Sequence, residues 1–330
     1  MFTPVIRFAA VAFSLVPILV SSPAYGADGP YHFLKSIPIS GEGGWDYLAV
    51  DEVARRLYVS HATKVVVLDL DRDAVVGEIT GTPGVHGIAL APALGRGFTS
   101  NGRENKASIV DLKTLKTLEK ISTGGNPDAI LYNPAQKEVY TFNGAGKSAT
   151  VFAAESGKVV ATIALPGKPE FAVVDTKVGR IYCNIEDKHE VTVIDTRTHQ
   201  VVSHWPIAPG EEPSGMAFDA THQRLFLGCG NKLMVMLDSA TGKVLASVPI
   251  GGGVDANEFD PATQLVFSSN REGNVTIAHE DSPEKLTVVQ TLKTEPGART
   301  MALDPKTHRI YLAAGKAGAM KILVYGTEKP

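Results

Sequence analysis

Seven positions of this chain stand out for the chemistry they could support: Asp46, His86, Asp128, Glu170, Ser214, Asp255 and Arg299. They follow one another at intervals of 40, 42, 42, 44, 41 and 44 residues, and six of the seven are ionisable. If one architecture gathers them, four carboxylates face a single permanent cation, Arg299, with the imidazoles of His61 and His86 nearby. That balance favours a cationic ligand or a metal, while Arg299 could fix a carboxylate or phosphate on one side. Crowded carboxylates also raise one another's pKa, leaving one protonated near neutrality. A second recurrent set lies fifteen residues after each of the first: His61, Asn101, Asn143, Ile185, Cys229, Asn270 and Ala314, with Asn184 beside Ile185.

Residues this far apart converge only if a repeated element carries them. The stretch 169–210, PEFAVVDTKVGRIYCNIEDKHEVTVIDTRTHQVVSHWPIAPG, reads as four short strands: Phe171–Val174, Ile181–Asn184, Glu190–Ile194 and Gln200–Pro206. Alternating apolar and β-branched residues bounded by Asp, Gly and Lys clusters argue for antiparallel hairpins. Between the two recurrent sets runs a turn position, Asp51, Ala91, Asn133, Asp175, Asp219, Asp260 and Asp304, five residues after each anchor. The first hairpin therefore keeps one length in all seven copies, and insertions fall elsewhere. One such sheet cannot bury its faces alone, so copies must stack, and four strands per 40–45 residues is the signature of propeller blades. The expected fold is all-β, a seven-bladed β-propeller of four-stranded antiparallel blades over residues 27–330. Tyr31–Ile39 reads as a fourth strand with no blade before it, while the seventh copy stops after Met320–Tyr325. The N-terminal strand is thus expected to complete the C-terminal blade and close the ring. The sixth copy departs, with the longer HEDSPEKL between its outer strands.

The strands Leu-Tyr-Val-Ser-His (57–61), Val-Tyr-Thr-Phe-Asn (139–143) and Ile-Tyr-Cys-Asn (181–184) resemble the YVTN-type β-propeller repeat family. Third strands such as Val191–Asp195 and the Asp/Asn-Pro turns add to the resemblance, which covers roughly residues 31–326. It implies a seven-bladed propeller, often exported, with no single family chemistry.

In a propeller the loops before the first strand and after the second share one mouth of the central channel. Both recurrent sets then ring a single funnel, making Asp46, His61, His86, Asn101, Asp128, Asn143, Glu170, Asn184, Asp255, Asn270 and Arg299 candidate ligand contacts. Sheets pack about 10 Å apart, so a ring of seven innermost strands is on the order of 20 Å across and opposite blades cannot share an ion. Asp46 and His61 on blade one and His86 on blade two could converge on a transition metal. For catalysis, the best arc of acid, base and polariser is Arg299–Asp46–His86, with Glu170 or Asp128 as alternative acid or base. Cys229 is read as lying near the mouth but without an activating His, and Cys183 as buried; their register faces them apart, so both are expected as free thiols. His199, His222 and His308 fall in turns of the opposite face and read as solvated, while His279 takes the place of an Asp turn cap in blade six.

Arg7, the apolar run 8–20 and Ala24-Tyr25-Gly26 form a secretory signal, residues 1–26, with cleavage before Ala27. The mature chain is then expected in the periplasm, or secreted, as a monomer with no membrane span. Losing Arg7 takes the formal charge from −3 to −4, so nothing indicates nucleic acid. No P-loop, dinucleotide fingerprint, GxSxG, HExxH or CxxCH occurs, and no motif requires a cofactor. The sequence thus points to a periplasmic binding or scaffold module for a small molecule or protein. Its rival is an enzyme, hydrolase, lyase or lactonase-like, with or without an assisting metal, and with its site at the same mouth.

Overall fold

The computed structural model describes residues 29–316 and 319–328; the expected signal at 1–26 lies outside them. Seven four-stranded antiparallel sheets form seven blades, six of them continuous in sequence. Their first strands are Trp45–Asp51, Val85–Ala91, Pro127–Asn133, Pro169–Asp175, Pro213–Asp219, Val254–Asp260 and Arg299–Asp304, for blades one to seven. Each first strand neighbours the first strands of the blades on either side, and blade seven meets blade one, so they ring the axis. The seventh blade takes its outermost strand from the N-terminus: His32–Ile39 pairs antiparallel with Ala319–Gly326. Closure by the N-terminal strand therefore follows the expectation.

Composition explains the layering. Second strands such as Arg56–His61 and Arg180–Ile185 are buried at every position but the first, while a fourth strand such as Gln200–Pro206 alternates between partly buried and exposed residues. A strand sealed on both faces needs apolar residues throughout, whereas an outer one needs them only at alternate positions. Seven apolar clusters fill the seven seams, each drawing residues from two adjacent blades. Between third and fourth strands, Asp69, Asp111, Asp195 and Asp238 each accept two backbone N–H groups with one oxygen, capping the turns. The long segment of blade six does not become a loop. It lengthens the outer hairpin instead, with strands Asn274–Ser282 and Lys285–Lys293.

The turn histidines are partnered, which corrects the solvated reading. His199 Nε2 lies 2.9 Å from Glu138 of blade three, His308 Nδ1 2.7 Å from Asp260 of blade six, and His222 Nδ1 2.5 Å from Asp219. The closing seam has a stronger tie. Arg55 of blade one donates Nη1–H and Nη2–H to the two oxygens of Asp304 in blade seven, both at 2.9 Å, and the Asp304 side chain is fully buried. Removing one partner of a buried pair strands the other charge. Arg55→Ala is therefore expected to lower unfolding stability by about 3 kcal/mol, read as a shifted urea midpoint. Adding Asp304→Asn should recover part of that loss; an unchanged midpoint in Arg55→Ala would show that the pair does not hold the ring.

Candidate acidic mouth

Each first strand of blades one to six breaks register with its neighbour just after its first residue, for example between Trp45 and Leu48 and between Pro169 and Ala172. Such a bulge frees its residues from the ladder and re-aims their side chains. The anchor is the second residue of the strand in these six blades and the first in blade seven. All seven anchors, Asp46, His86, Asp128, Glu170, Ser214, Asp255 and Arg299, line one cavity of about 400 Å3 at one end of the axis.

The second recurrent set does not reach this cavity. Trp45 pairs with His61, Val85 with Asn101, Pro127 with Asn143 and Val254 with Asn270, so these residues sit one strand outward, inside the blades. His61, Asn101, Asn143, Asn184 and Asn270 are fully buried. The asparagines tie strands together: Asn101 Nδ2 donates to Ser108 Oγ at 2.7 Å, Asn143 Nδ2 to Thr150 Oγ1 at 3.1 Å, and Asn270 Nδ2 to Thr276 Oγ1 at 3.1 Å. Asn184 Nδ2 crosses to the Ser214 carbonyl of the next blade at 2.7 Å. The His61 imidazole is pushed toward neutrality by burial and by Lys64, and its Nδ1 lies 3.3 Å from the Gly44 carbonyl. His61 thus has no part in a shared site with His86.

What converges instead is Asp46, His86 and Asp128, from three successive blades. His86 Nδ1 is 2.6 Å from Asp46 Oδ2 and 3.6 Å from Asp128 Oδ1, and one ligand atom from each residue falls within 4.8 Å of the others. Burial alone would lower the His86 pKa, but the Asp46 hydrogen bond and the charges of Asp128, Asp46 and Glu170 raise it. Gly102 permits this approach, since a Cβ there would stand 2.6 Å from His86 Nε2. Burial raises Asp128 to about 6, with His86 opposing and Asp46 adding to the rise. Glu170 is pushed up by burial and by Asp128, against the pull of Lys168, which bridges Glu170 and Glu186. On the far side Arg299 Nη1 lies 3.7 Å from Asp255 Oδ1. The Arg299–Asp46–His86 arc is therefore divided between two ion pairs.

Glu186, Glu212 and Arg271 also line the mouth. Glu186 and Arg271 stand one residue beyond the second recurrent set, where five other blades carry Ala62, Gly102, Gly144, Gly230 and Gly315. Two charges at an otherwise small position were the signal for them. Tyr47 forms the floor: its ring meets Phe171 from blade four with centroids 5.5 Å apart, and it borders both the mouth and a lower cavity of about 450 Å3. Burial, then Asp128, Asp46, Glu170 and Asp255, keep the Tyr47 phenol protonated. The two cysteines are free and buried, Cys229 included, and burial raises its thiol to about 12. Cys229 is thus sealed inside its blade, although Gly230 beside it lines the mouth.

No family model matches the chain, and no curated protein does. Among solved structures it is similar to a chain from a crystal structure of the mitotic checkpoint complex, with a TM-score of 0.78 and 13% identity over 98% of each chain. At that identity the likeness establishes the fold, the seven-bladed ring, and nothing about the mouth.

The lower cavity is lined by two further carboxylates, Glu52 and Glu258, and Glu258 stands among residues such as Leu48, Ile88 and Leu303. Burial alone raises it from 4.5 to about 8. The folded state therefore binds this proton more tightly than the unfolded chain, and stability falls as pH climbs from about 4.5 to about 8. Glu258→Gln is expected to leave stability nearly unchanged at about pH 5 and to raise it by about 2 kcal/mol at about pH 9, after allowance for solvent screening in the lumen. Urea denaturation of both proteins at the two pH values checks this; parallel profiles would refute it.

Proposed function

We propose that this chain is an exported periplasmic binding protein whose mouth takes a small cationic ligand, seated on Asp46, His86 and Asp128. The observation that carries this reading is the charge count of a single cavity: six carboxylates and two guanidiniums line it. Asp128 is held at about 6 and Glu170 is raised by burial and by Asp128. An incoming cation would relieve that crowding, and convergent polar groups in a concavity are the usual form of a ligand site. Binding would draw protons off Asp128 and Glu170, so affinity should increase with pH.

The Asp46–His86 hydrogen bond favours one other reading, an enzyme using His86 as an oriented base for a hydrolase, lyase or lactonase-like reaction. Arg299 is then less suited to act beside it as polariser, because it is paired with Asp255. A protein partner at the same mouth would meet the same negative field.

The test uses mature protein with putrescine, spermidine and lysine against citrate and phosphate, by calorimetry and thermal shift, beside a turnover screen on esters and lactones. Amines are expected to bind and raise the melting temperature, more tightly at about pH 8 than at about pH 5.5. Asp128→Asn with Glu170→Gln should weaken this at least about tenfold. Binding of the anions alone, or an undiminished double variant, would sink the proposal; turnover lost in His86→Ala would favour the enzyme. Mass spectrometry of the periplasmic fraction should find the N-terminus at Ala27.

A further inference from the structure

At the face opposite the mouth, the seam between blades five and six departs from its neighbours. The first-hairpin turn of each blade places one residue in the left-handed region four positions after the turn position, which is Asp in five of the seven blades. In blade one that residue is Arg55, which pairs with Asp304 of blade seven; in blade seven it is His308, which pairs with Asp260 of blade six. In blade six it is Gln264, which brings no charge to Asp219 of blade five. Gln223 of blade five likewise brings no charge to the buried Asp175 of blade four, so what sets the seam between blades five and six apart is what stands beside Asp219.

A second carboxylate occupies the same place. In five blades the residue that closes the third strand, its N–H bonded to the turn carbonyl of the first hairpin, is Leu70, Leu112, Ala154, Thr196 or Ser239. All five are buried and none is charged. In blade six the lengthened hairpin puts Glu280 at that position, with its N–H on the Gln264 carbonyl. Its side chain is 1% exposed, and neither carboxylate oxygen has a hydrogen-bond partner among the described residues. Burial, then the neighbouring Asp219, raise the Glu280 carboxyl, because an ionised group so enclosed is costly. Arg224 is close but engaged elsewhere, with Nη1 on Asp238 Oδ2 at 2.9 Å and Nε on the Pro283 carbonyl.

His222 completes the group. Its Nδ1 lies 2.5 Å from Asp219 Oδ2 and 3.7 Å from Glu280 Oε1, and one ligand atom from each of the three falls within 4.8 Å of the others. Asp219 Oδ1 already accepts the Thr221 N–H at 2.8 Å, which fixes the carboxylate and leaves Oδ2 facing the imidazole. We propose that Asp219, His222 and Glu280 form a site for a first-row divalent transition ion, such as Zn2+ or Mn2+, that ties blade five to blade six. Two carboxylates supply the charge a dication needs, and one imidazole selects against Mg2+ and Ca2+, which prefer oxygen alone. A metal–ligand distance of about 2.0–2.2 Å needs ligand atoms about 3–3.5 Å apart, so side-chain shifts of under an ångström suffice. His222 is one-third exposed, which leaves the outer coordination positions to water. The site is separate from the mouth and does not depend on what the mouth binds.

Metal-stripped protein carrying His86→Ala, which removes the Asp46–His86–Asp128 cluster, is titrated with Zn2+ and with Mn2+, with Ca2+ as control. Metal content after gel filtration and the melting temperature are read. One equivalent of transition ion should be retained and the melting temperature should rise by several degrees, with no rise for Ca2+. Adding His222→Ala or Glu280→Gln should abolish both effects. Glu280→Gln removes the buried charge, so its metal-free form should melt at or above its parent, which separates lost binding from lost folding. No retained metal in His86→Ala protein, or a metal-induced rise that survives both further changes, would overturn the proposal. A proton shared between Asp219 and Glu280 predicts the first of those results.

Discussion

Everything in this molecule follows from strands that are buried on both faces. In blade after blade the second and third strands expose almost nothing, as in Leu265–Asn270, which is buried throughout. A sheet with two apolar faces has no stable existence alone, so each blade needs a neighbour on either side. In a linear stack the first and last blades would each keep one apolar face in water. The ring removes both ends, and the chain secures it by placing its N-terminal strand in the last blade, so the closing seam cannot open without losing a strand pairing. The Arg55–Asp304 pair lies at the same joint, between blade one and the blade that is completed by strand pairing alone.

The same requirement creates the mouth. Seven first strands pressed around an axis cannot continue their ladders to the rim without collision, and the bulge near the start of the strand lets each one turn aside. A bulged residue no longer alternates between faces, so its side chain projects into the channel whatever its type. The fold therefore supplies seven projecting positions and places no demand on what they carry. Ser214 shows that an uncharged residue suffices. The carboxylates at Asp46, Asp128, Glu170 and Asp255 are then not explained by folding, and tight packing makes them costly, as the raised Asp128 and Glu170 attest.

The sequence made the period, the blade count, the closure and the inner ring legible, because each rests on local spacing. A constant first hairpin fixes which residues face the axis, and Asp46 to Arg299 could be placed by counting. The error with His61, Asn101, Asn143, Asn184 and Asn270 has a simple origin. Sharing a loop height was treated as sharing a surface, but directly paired residues in adjacent strands lie about 5 Å apart across the ladder, and one strand outward is already inside a blade. Other features could not be read from spacing at all. Glu280 looks like one acidic residue in a long hairpin, and only the packing of blade five on blade six brings Asp219 and His222 to it. The pairing of His199 and His308 with carboxylates of neighbouring blades was hidden for the same reason.

A structural carboxylate can be told from a poised one by asking what each oxygen does. At the closed face Asp304 receives both Arg55 bonds, the Lys306 N–H and the Thr307 hydroxyl, while Asp260 takes the Ala262 N–H, the Thr263 hydroxyl and His308. Those groups are consumed by turns and seams, and Asp304 accordingly sits below the usual carboxylate range, the Arg55 and Thr307 bonds outweighing its burial. At the mouth the accounting differs: among the described residues Asp128 has the 3.6 Å approach of His86, and Asp255 has Arg299 at 3.7 Å and the Thr300 N–H. Both are raised instead, by burial that their partners do not offset. Equal residue types in one repeat thus fall into two classes by the satisfaction of their oxygens, and a ligand is called for only where that satisfaction fails.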